Sequence, residues 1–296
     1  MRITSGMVQR SVLADLNRVS ERVTKMQTKA SSNREITRPS DDPYNAARAI
    51  QLRGSLAGAQ QLTRNIEMAQ GWQETSESAL ANLTDTVQRA RELLILGRSG
   101  TTEPDARETI AREVDELITA AKQSGNAMYQ GKYVFAGTQT DQPPYVEGAD
   151  DGYKGAAAVV ERQVGPGIPL QIGITADGFL GSGGGDGKLL DTLRTIAADL
   201  RSGDTAAMSG DLARLDENLD QLLGVRALNG ARQNRLDAAL SRMAQVEEAT
   251  LKQLSETEDA DIAKTLIELT SQQTAYQAAL KAGANIMQTS LMDFLR

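Results

Sequence analysis

Apolar residues recur in heptad spacing at both ends of this chain, and the stretch between them is of another kind. Near the start, Val12, Leu16, Val19, Val23, Met26 and Ala30 follow one another at steps of 4, 3, 4, 3 and 4. Near the end, Ile262, Leu266, Leu269, Gln273, Tyr276, Leu280, Gly283, Met287, Ser290 and Phe294 keep the same rhythm. A helix turns once in about 3.6 residues, so this spacing draws a narrow stripe down one side, and the stripe must be buried against another helix. Neither stripe is wide enough to hold an isolated helix in water. They must cover each other or be covered by neighbouring molecules, which points to an assembly protein before an enzyme. Val12, Leu16, Val19, Val23, Met26, Ile262, Leu266, Leu269, Tyr276, Leu280, Met287 and Phe294 form the candidate assembly seam.

Composition agrees with long helices. Only 10 of the 296 residues are aromatic, thin for one compact globule, and the apolar content comes from aliphatic residues instead. A formal net charge of −7 speaks against a general nucleic-acid binder, which needs a basic stripe. The charge is uneven: residues 1–40 carry eight Arg/Lys against three acids, +5, leaving −12 for the remainder. Such a basic start can mimic a transit peptide, but Asp15 and Glu21 flank a stripe that reads as structural. No apolar run approaches the ~18–20 residues that span a bilayer. Arg10, Asp15 and Arg18 interrupt any signal-peptide core, so the chain is expected in the cytosol or exported without a cleaved signal.

Between the seams the pattern changes twice. Pro39 and Pro43 with Ser40, Asp41 and Asp42 break the first helix, and helix is expected to resume at Ala46. From Ile66 to Leu94 apolar and small residues recur at steps of 3 and 4, a long helix ending near Gly97; another is expected from Thr102 to Gly125. Residues 131–187 hold 14 of the 26 glycines, four of the seven prolines and half of the aromatics. Their β-prone runs (133–135, 158–160, 170–174) lie between turn signals and predict a small β-rich insert. Helix returns at Leu189, and a second long seam runs from Leu212 to Leu254, with polar Arg226, Asn229 and Gln233 in its middle. Asn229-Gly230 is either a helix break or a polar patch in one continuous helix.

The predicted fold is mainly α: a nested, antiparallel long-helix coiled-coil rod with a small β-rich inserted domain. Residues 1–45 and 255–296 form a terminal coiled-coil assembly domain, 46–130 and 188–254 a long-helix bundle, and 131–187 the inserted outer domain.

Catalytic chemistry is hard to build here. The chain has no histidine and no cysteine, so it lacks an imidazole base, a thiolate nucleophile and the usual zinc ligands. The acid pairs Asp41-Asp42 and Asp150-Asp151 sit in polar turns, where carboxylates cap helices or face water. The run 181–188 invites a phosphate-loop reading. That loop needs Gly where Ser182 stands and Ser or Thr where Leu189 stands, so a flexible hinge fits better. Trp72 and Tyr276 read as knobs at helix–helix interfaces. No cofactor or metal is expected, and no nucleic-acid or membrane partner.

Four segments carry a resemblance. The opening Met1-Arg2-Ile3-Thr4 with the first seam, TRPSDDPYNAARAIQLR at 37–53, GKYVFAGTQTDQPPY at 131–145 and TSLMDFLR at 289–296 resemble the flagellin superfamily, in this order and over the whole length. The wording Arg38-Pro39-Ser40-Asp41-Asp42-Pro43 resembles its hook-associated branch more than filament flagellin. The resemblance implies a structural subunit of the bacterial flagellum, whose terminal helices form coiled coils in the core of an axial tube. It implies contacts with the first hook-associated protein, with flagellin and with copies of itself in a ring. It also implies type III export to the extracellular flagellum without signal cleavage, aided by a chaperone on the C-terminal region around Ile262–Phe294.

Overall fold

The computed structural model describes residues 5–99 and 103–294. Among these are six α-helices: α1 (Ser5–Ser32), α2 (Pro43–Gly97), α3 (Pro104–Gly125), α4 (Leu189–Ser202), α5 (Thr205–Glu258) and α6 (Ile262–Phe294). Four short strands form two antiparallel hairpins, β1 (Met128–Tyr129) with β2 (Lys132–Tyr133), and β3 (Glu161–Gly165) with β4 (Ile168–Gln171). The mainly α architecture with a small β-rich segment is the one the sequence predicts. No helix among the described residues is long and apolar enough to cross a membrane.

Aspartates set three helix starts. The Asp42 carboxylate accepts the N–H groups of Tyr44 and Asn45, and Pro43 fills the first helical position, so α2 begins three residues before Ala46. Asp204 accepts from Ala206 and Ala207 at the head of α5, and Asp261 from Lys264 at the head of α6. Thr102 lies outside the described residues, and α3 starts at Pro104.

The chain divides into two compact units: residues 59–245, and residues 1–58 with 246–296. In the 59–245 unit one apolar cluster takes in Ile66, Leu80, Leu83 and Leu94 of α2, Ile118 of α3, Leu193 of α4, and Leu215, Leu222 and Leu236 of α5. Phe135, Tyr145, Ile172, Phe179 and Leu180 belong to the same cluster, and the Phe135 and Phe179 rings meet edge to face at 5.5 Å. Residues 131–187 therefore share their core with the helices. Turn chemistry, more than the apolar runs, decides where their strands lie. Gln130 and Gly131 both take positive φ (50° and 78°), the signature of a tight two-residue turn, and this places β1–β2. Pro166-Gly167 makes the other turn, so β3 sits at 161–165 and not at 158–160.

Asn229-Gly230 does not break α5, which is continuous from Thr205 to Glu258. The polar patch is a buried bridge to α2. The Asn229 amide donates to the Gln73 carbonyl oxygen (3.2 Å) and Glu77 Oε2 (3.3 Å), and Arg226 donates to Glu77 Oε1 (2.8 Å). Gln73 in turn donates to the Ile172 carbonyl at 2.8 Å. Buried amides with few alternative partners fix the register of two long helices that apolar packing alone would let slide.

Candidate assembly surface

In the unit of residues 1–58 and 246–296, α1 and α6 pair along their length. Val12, Leu16, Val19, Val23, Met26 and Ala30 are all half-buried, while most positions between them are exposed. The first stripe therefore faces α6. At the crossing, a Cβ placed on Gly283 would lie 3.0 Å from Val12 Cγ1 and 3.7 Å from Leu16 Cδ1, so the absent side chain lets the helices approach closely.

On α6 the covered positions are Thr265, Leu269, Gln272, Gln273, Tyr276, Ala279 and Gly283. Leu269 and Tyr276 of the predicted seam are among them. Ile262, Leu266 and Leu280 are not: they stand 56, 49 and 44 % exposed. A straight helix drifts by about 20° per heptad against a strict seven-residue repeat, so a 3.5-period pattern cannot stay on one side of a straight partner. The inward side of α6 thus mixes Leu269 and Tyr276 with small and polar residues, and further large apolar ones stand outside it. Ile267, at 69 %, adds to them. The side chains of Met287 and Phe294 lie outside the described residues, as does Met1–Thr4.

Two turns fasten the other end of the pair. Glu35 N–H donates to the Glu258 carbonyl (2.7 Å) and Ala260 N–H to the Asn33 carbonyl (3.1 Å), which joins the α1–α2 turn to the α5–α6 turn. The Glu258 side chain, almost fully buried, is met by Arg53 at 2.6 Å and by Arg34 at 3.7 Å. The wording at residues 37–42 is spent on the same turn. Asp41 accepts from Lys25 Nζ (2.7 Å), the Thr37 hydroxyl (3.0 Å) and the Arg38 N–H (3.1 Å). The Lys25 ammonium, outweighing the opposing effect of burial and aided by the other two donors, lowers the Asp41 pKa to about 2. Asp41 ties the turn to α1 while Asp42 caps α2, so this acid pair is fully employed in structure. The heptads give no sign of Glu258; its partner Arg53 lies 205 residues away in the chain.

The remaining candidates resolve in the 59–245 unit. Asp150 accepts from Gly152 N–H and pairs with Lys154, and its pKa is lowered, chiefly by that backbone bond. Asp151 is held between Lys122 Nζ (2.7 Å) and Arg194 (2.9 Å). In the glycine-rich run the amides of Ser182 and Lys188 donate to Asp186, and those of Gly185 and Gly187 to Asp191. Two carboxylates of the chain already fill the place a phosphate would take. Trp72 is buried, but its neighbour is the Tyr129 ring of the β1–β2 hairpin, edge-on at 6.5 Å, and not a helix alone. Asp211 on α5 is displaced in the opposite direction from Asp41. Burial, then the Asp199 carboxylate, raises its pKa to about 6 against the pull of Arg214.

With the geometry in hand, relatives identify the class. The sequence matches the bacterial flagellin N-terminal helical region over residues 3–140 and the bacterial flagellin C-terminal helical region over residues 212–295. The chain belongs to the bacterial flagellin family. Flagellar hook-associated protein 3 of Escherichia coli K12 is 28% identical over 319 aligned residues, covering 99% of each chain. The flagellin of Bacillus subtilis 168 is 26% identical over the full length of both. A Vibrio parahaemolyticus protein described as a flagellar hook-associated protein superposes with a TM-score of 0.67 at 21% identity, covering 74% of this chain and all of its own, and so shares the fold.

Proposed function

We propose that the chain is a structural adaptor of the bacterial flagellum that joins the hook, through the first hook-associated protein, to the flagellin filament. It assembles through its terminal helices into a ring layer with its own copies. The observation that carries this reading is the apolar set on α6, Ile262, Leu266, Ile267 and Leu280, which the chain leaves uncovered. Full burial of such a side chain is worth about 1.5–3 kcal/mol, and these four, each already partly covered, offer roughly half of that apiece once neighbours supply the opposite surface. An export chaperone would shield the same surface before assembly, and the chain would reach the extracellular flagellum without signal cleavage. The role is structural and not catalytic: both acid pairs and the glycine-rich amides are committed to capping, turn and ion-pair bonds.

Full-length similarity to a flagellin supports a second reading, that of the filament protein itself. Gene deletion separates the two. Intact hooks without filaments, with flagellin shed into the medium, are expected of the junction protein, whereas loss of the main filament protein would make this chain the flagellin. Replacing Leu266 and Leu280 with Asp should leave the monomer's circular dichroism nearly unchanged, since both are exposed, and abolish filament attachment. Normal filaments in that double variant would refute the assembly role of α6.

A further inference from the structure

The 59–245 unit carries two complementary surface features that its own fold does not bring together, and both bear on how copies meet. The first is the loop after Tyr145. Lys122, buried on α3, donates to the carbonyls of Val146 (3.3 Å), Gly148 (2.7 Å) and Asp150 (2.9 Å), and Arg194 of α4 donates to Gly148 as well (3.1 Å). Asn126 exchanges two hydrogen bonds with the Tyr145 backbone, at 2.8 and 3.0 Å. Burying an ammonium is costly, and here it fixes a surface loop by its carbonyls while leaving Val146 and Glu147 exposed. Asp150 and Asp151 are engaged in ion pairs. Glu147 is paired with no group among the described residues.

The second feature is a groove of about 430 Å³ between α5 and the β3–β4 hairpin. Pro169, Leu228 and Ala231 give it an apolar floor, and Arg232 and Arg235 give it positive charge. Leu228 is half exposed. Arg232 is anchored to the Gly173 carbonyl at 2.9 Å, and Arg235 has no acid partner among the described residues. The acid in the groove, Glu161, accepts from the Gln171 amide at 3.2 Å. Burial and the nearby Arg235 both lower the Arg232 pKa, a sign that the pair's charge is under-compensated.

We propose that the Val146–Asp150 loop of one copy docks into this groove on a second copy, with Val146 against Leu228 and Glu147 on Arg232 and Arg235. The inference rests on the reading that copies assemble side by side. One site is acidic with an apolar residue and the other basic with an apolar floor, so the charges are complementary and the sequences of the two sites differ. The loop is held by α3 and α4, the groove by α5 and β4. Each copy therefore gives one loop and receives another, a heterologous contact that propagates around a ring or along a helix. A pinned loop also loses little conformational freedom on docking.

The absence of cysteine from the chain makes a clean test possible. Full-length Glu147→Cys and Arg235→Cys chains are co-expressed, axial structures are isolated, and a mild oxidant is added. A mixed disulfide dimer is expected, with none from either variant alone and a ladder of multimers from the chain carrying both. Pairing Glu147→Cys with Arg112→Cys, on exposed α3 surface, sets the background. A dimer of Glu147→Cys with itself would overturn the proposal. So would a mixed yield no higher than background while the chain is present in the structures. Absence of the chain from the structures would sink the assembly reading itself, and the docking with it. A charge exchange keeps the test independent of cysteine: Glu147→Arg and Arg235→Glu should each cut incorporation several-fold, and the two combined in one chain should restore it. Failure of the combined chain to recover counts against the contact.

Discussion

The 59–245 unit and the unit built from the two ends solve the same problem in opposite ways. In the first, the central residues of α2, α4 and α5 are buried outright, and Gln73, Glu77, Arg226 and Asn229 bond across the helices. In the second, α1 offers a stripe that is only half-buried, and α6 turns Thr265, Gln272, Ala279 and Gly283 inward while Ile262, Leu266 and Leu280 remain outside. A two-helix pair cannot enclose a core, since each helix has one neighbour and several open sides. One unit is complete within the chain. The other leaves Ile262, Leu266, Ile267 and Leu280 exposed, which is what the proposed assembly through the ends requires.

The largest contrast should appear on truncating a leucine in each unit. Leu193 on α4 is fully buried, so Leu193→Ala should destabilise the protein by about 2–5 kcal/mol. Leu280→Ala removes the same atoms from an exposed position and should change monomer stability by no more than about 0.5 kcal/mol. Denaturant unfolding of both variants measures the gap. Similar losses would mean that the end unit encloses its apolar surface within the chain, and the comparison would collapse.

How much of this was legible in the sequence follows from the same contrast. The α1 stripe shows as a heptad because its six residues are apolar or small and all face the partner. On α6 only Leu269 and Tyr276 give the inward side a hydrophobic trace, the other inward residues being small or polar, so the visible heptad marks both sides of the helix at once. The long helices with Leu83, Leu94 and Leu215 announce themselves, since one face of each is buried outright while the opposite face is exposed, and that contrast imposes the period strongly. Asn229 is silent about its role because a buried bridge and a helix break share one residue type. The Arg53–Glu258 pair and the Lys122 clamp join residues far apart in the chain, and no local pattern encodes them. The apolar runs 133–135 and 170–174 overlap β2 and β4, while 158–160 stops short of β3, because the turns at Gln130-Gly131 and Pro166-Gly167 decide where the strands pair.

Titration sharpens the comparison, because the largest carboxyl displacements in the two units, at Asp211 and Asp41, run in opposite directions. Asp211, raised to about 6 in the closed unit, favours the folded state while protonated; that benefit is full below the ordinary value of 3.8 and is lost as pH rises through 6. Asp41, lowered to about 2 in the end unit, contributes above 3.8 and loses its contribution as pH falls toward 2. Asp211→Asn should therefore raise Tm at pH 8 and do little at pH 4. Asp41→Asn should lower the stability of the α1–α2 turn at pH 7, with the difference from wild type vanishing near pH 2. Thermal melts read the first, and hydrogen exchange at residues 35–45 reads the second. A Tm gain for Asp211→Asn that does not vary with pH would show that its carboxyl is not the titrating group.

The smallest effect tests whether α6 lies against α1 at the described crossing. Ala is about 1 kcal/mol better than Gly within a helix. At position 283 that gain meets Val12 Cγ1 at 3.0 Å from the new methyl, so Val12 must give way by a few tenths of an ångström. Gly283→Ala alone should leave the hydrogen-exchange protection of α6 nearly unchanged, as the two effects offset. In a Val12→Ala background the obstruction is gone, and the same change should stabilise the helix by about 1 kcal/mol. The non-additivity is the signal, because propensity alone acts regardless of the partner. An equal gain in both backgrounds would mean that Gly283 faces open space, and that the pairing of the two ends is set elsewhere along α1.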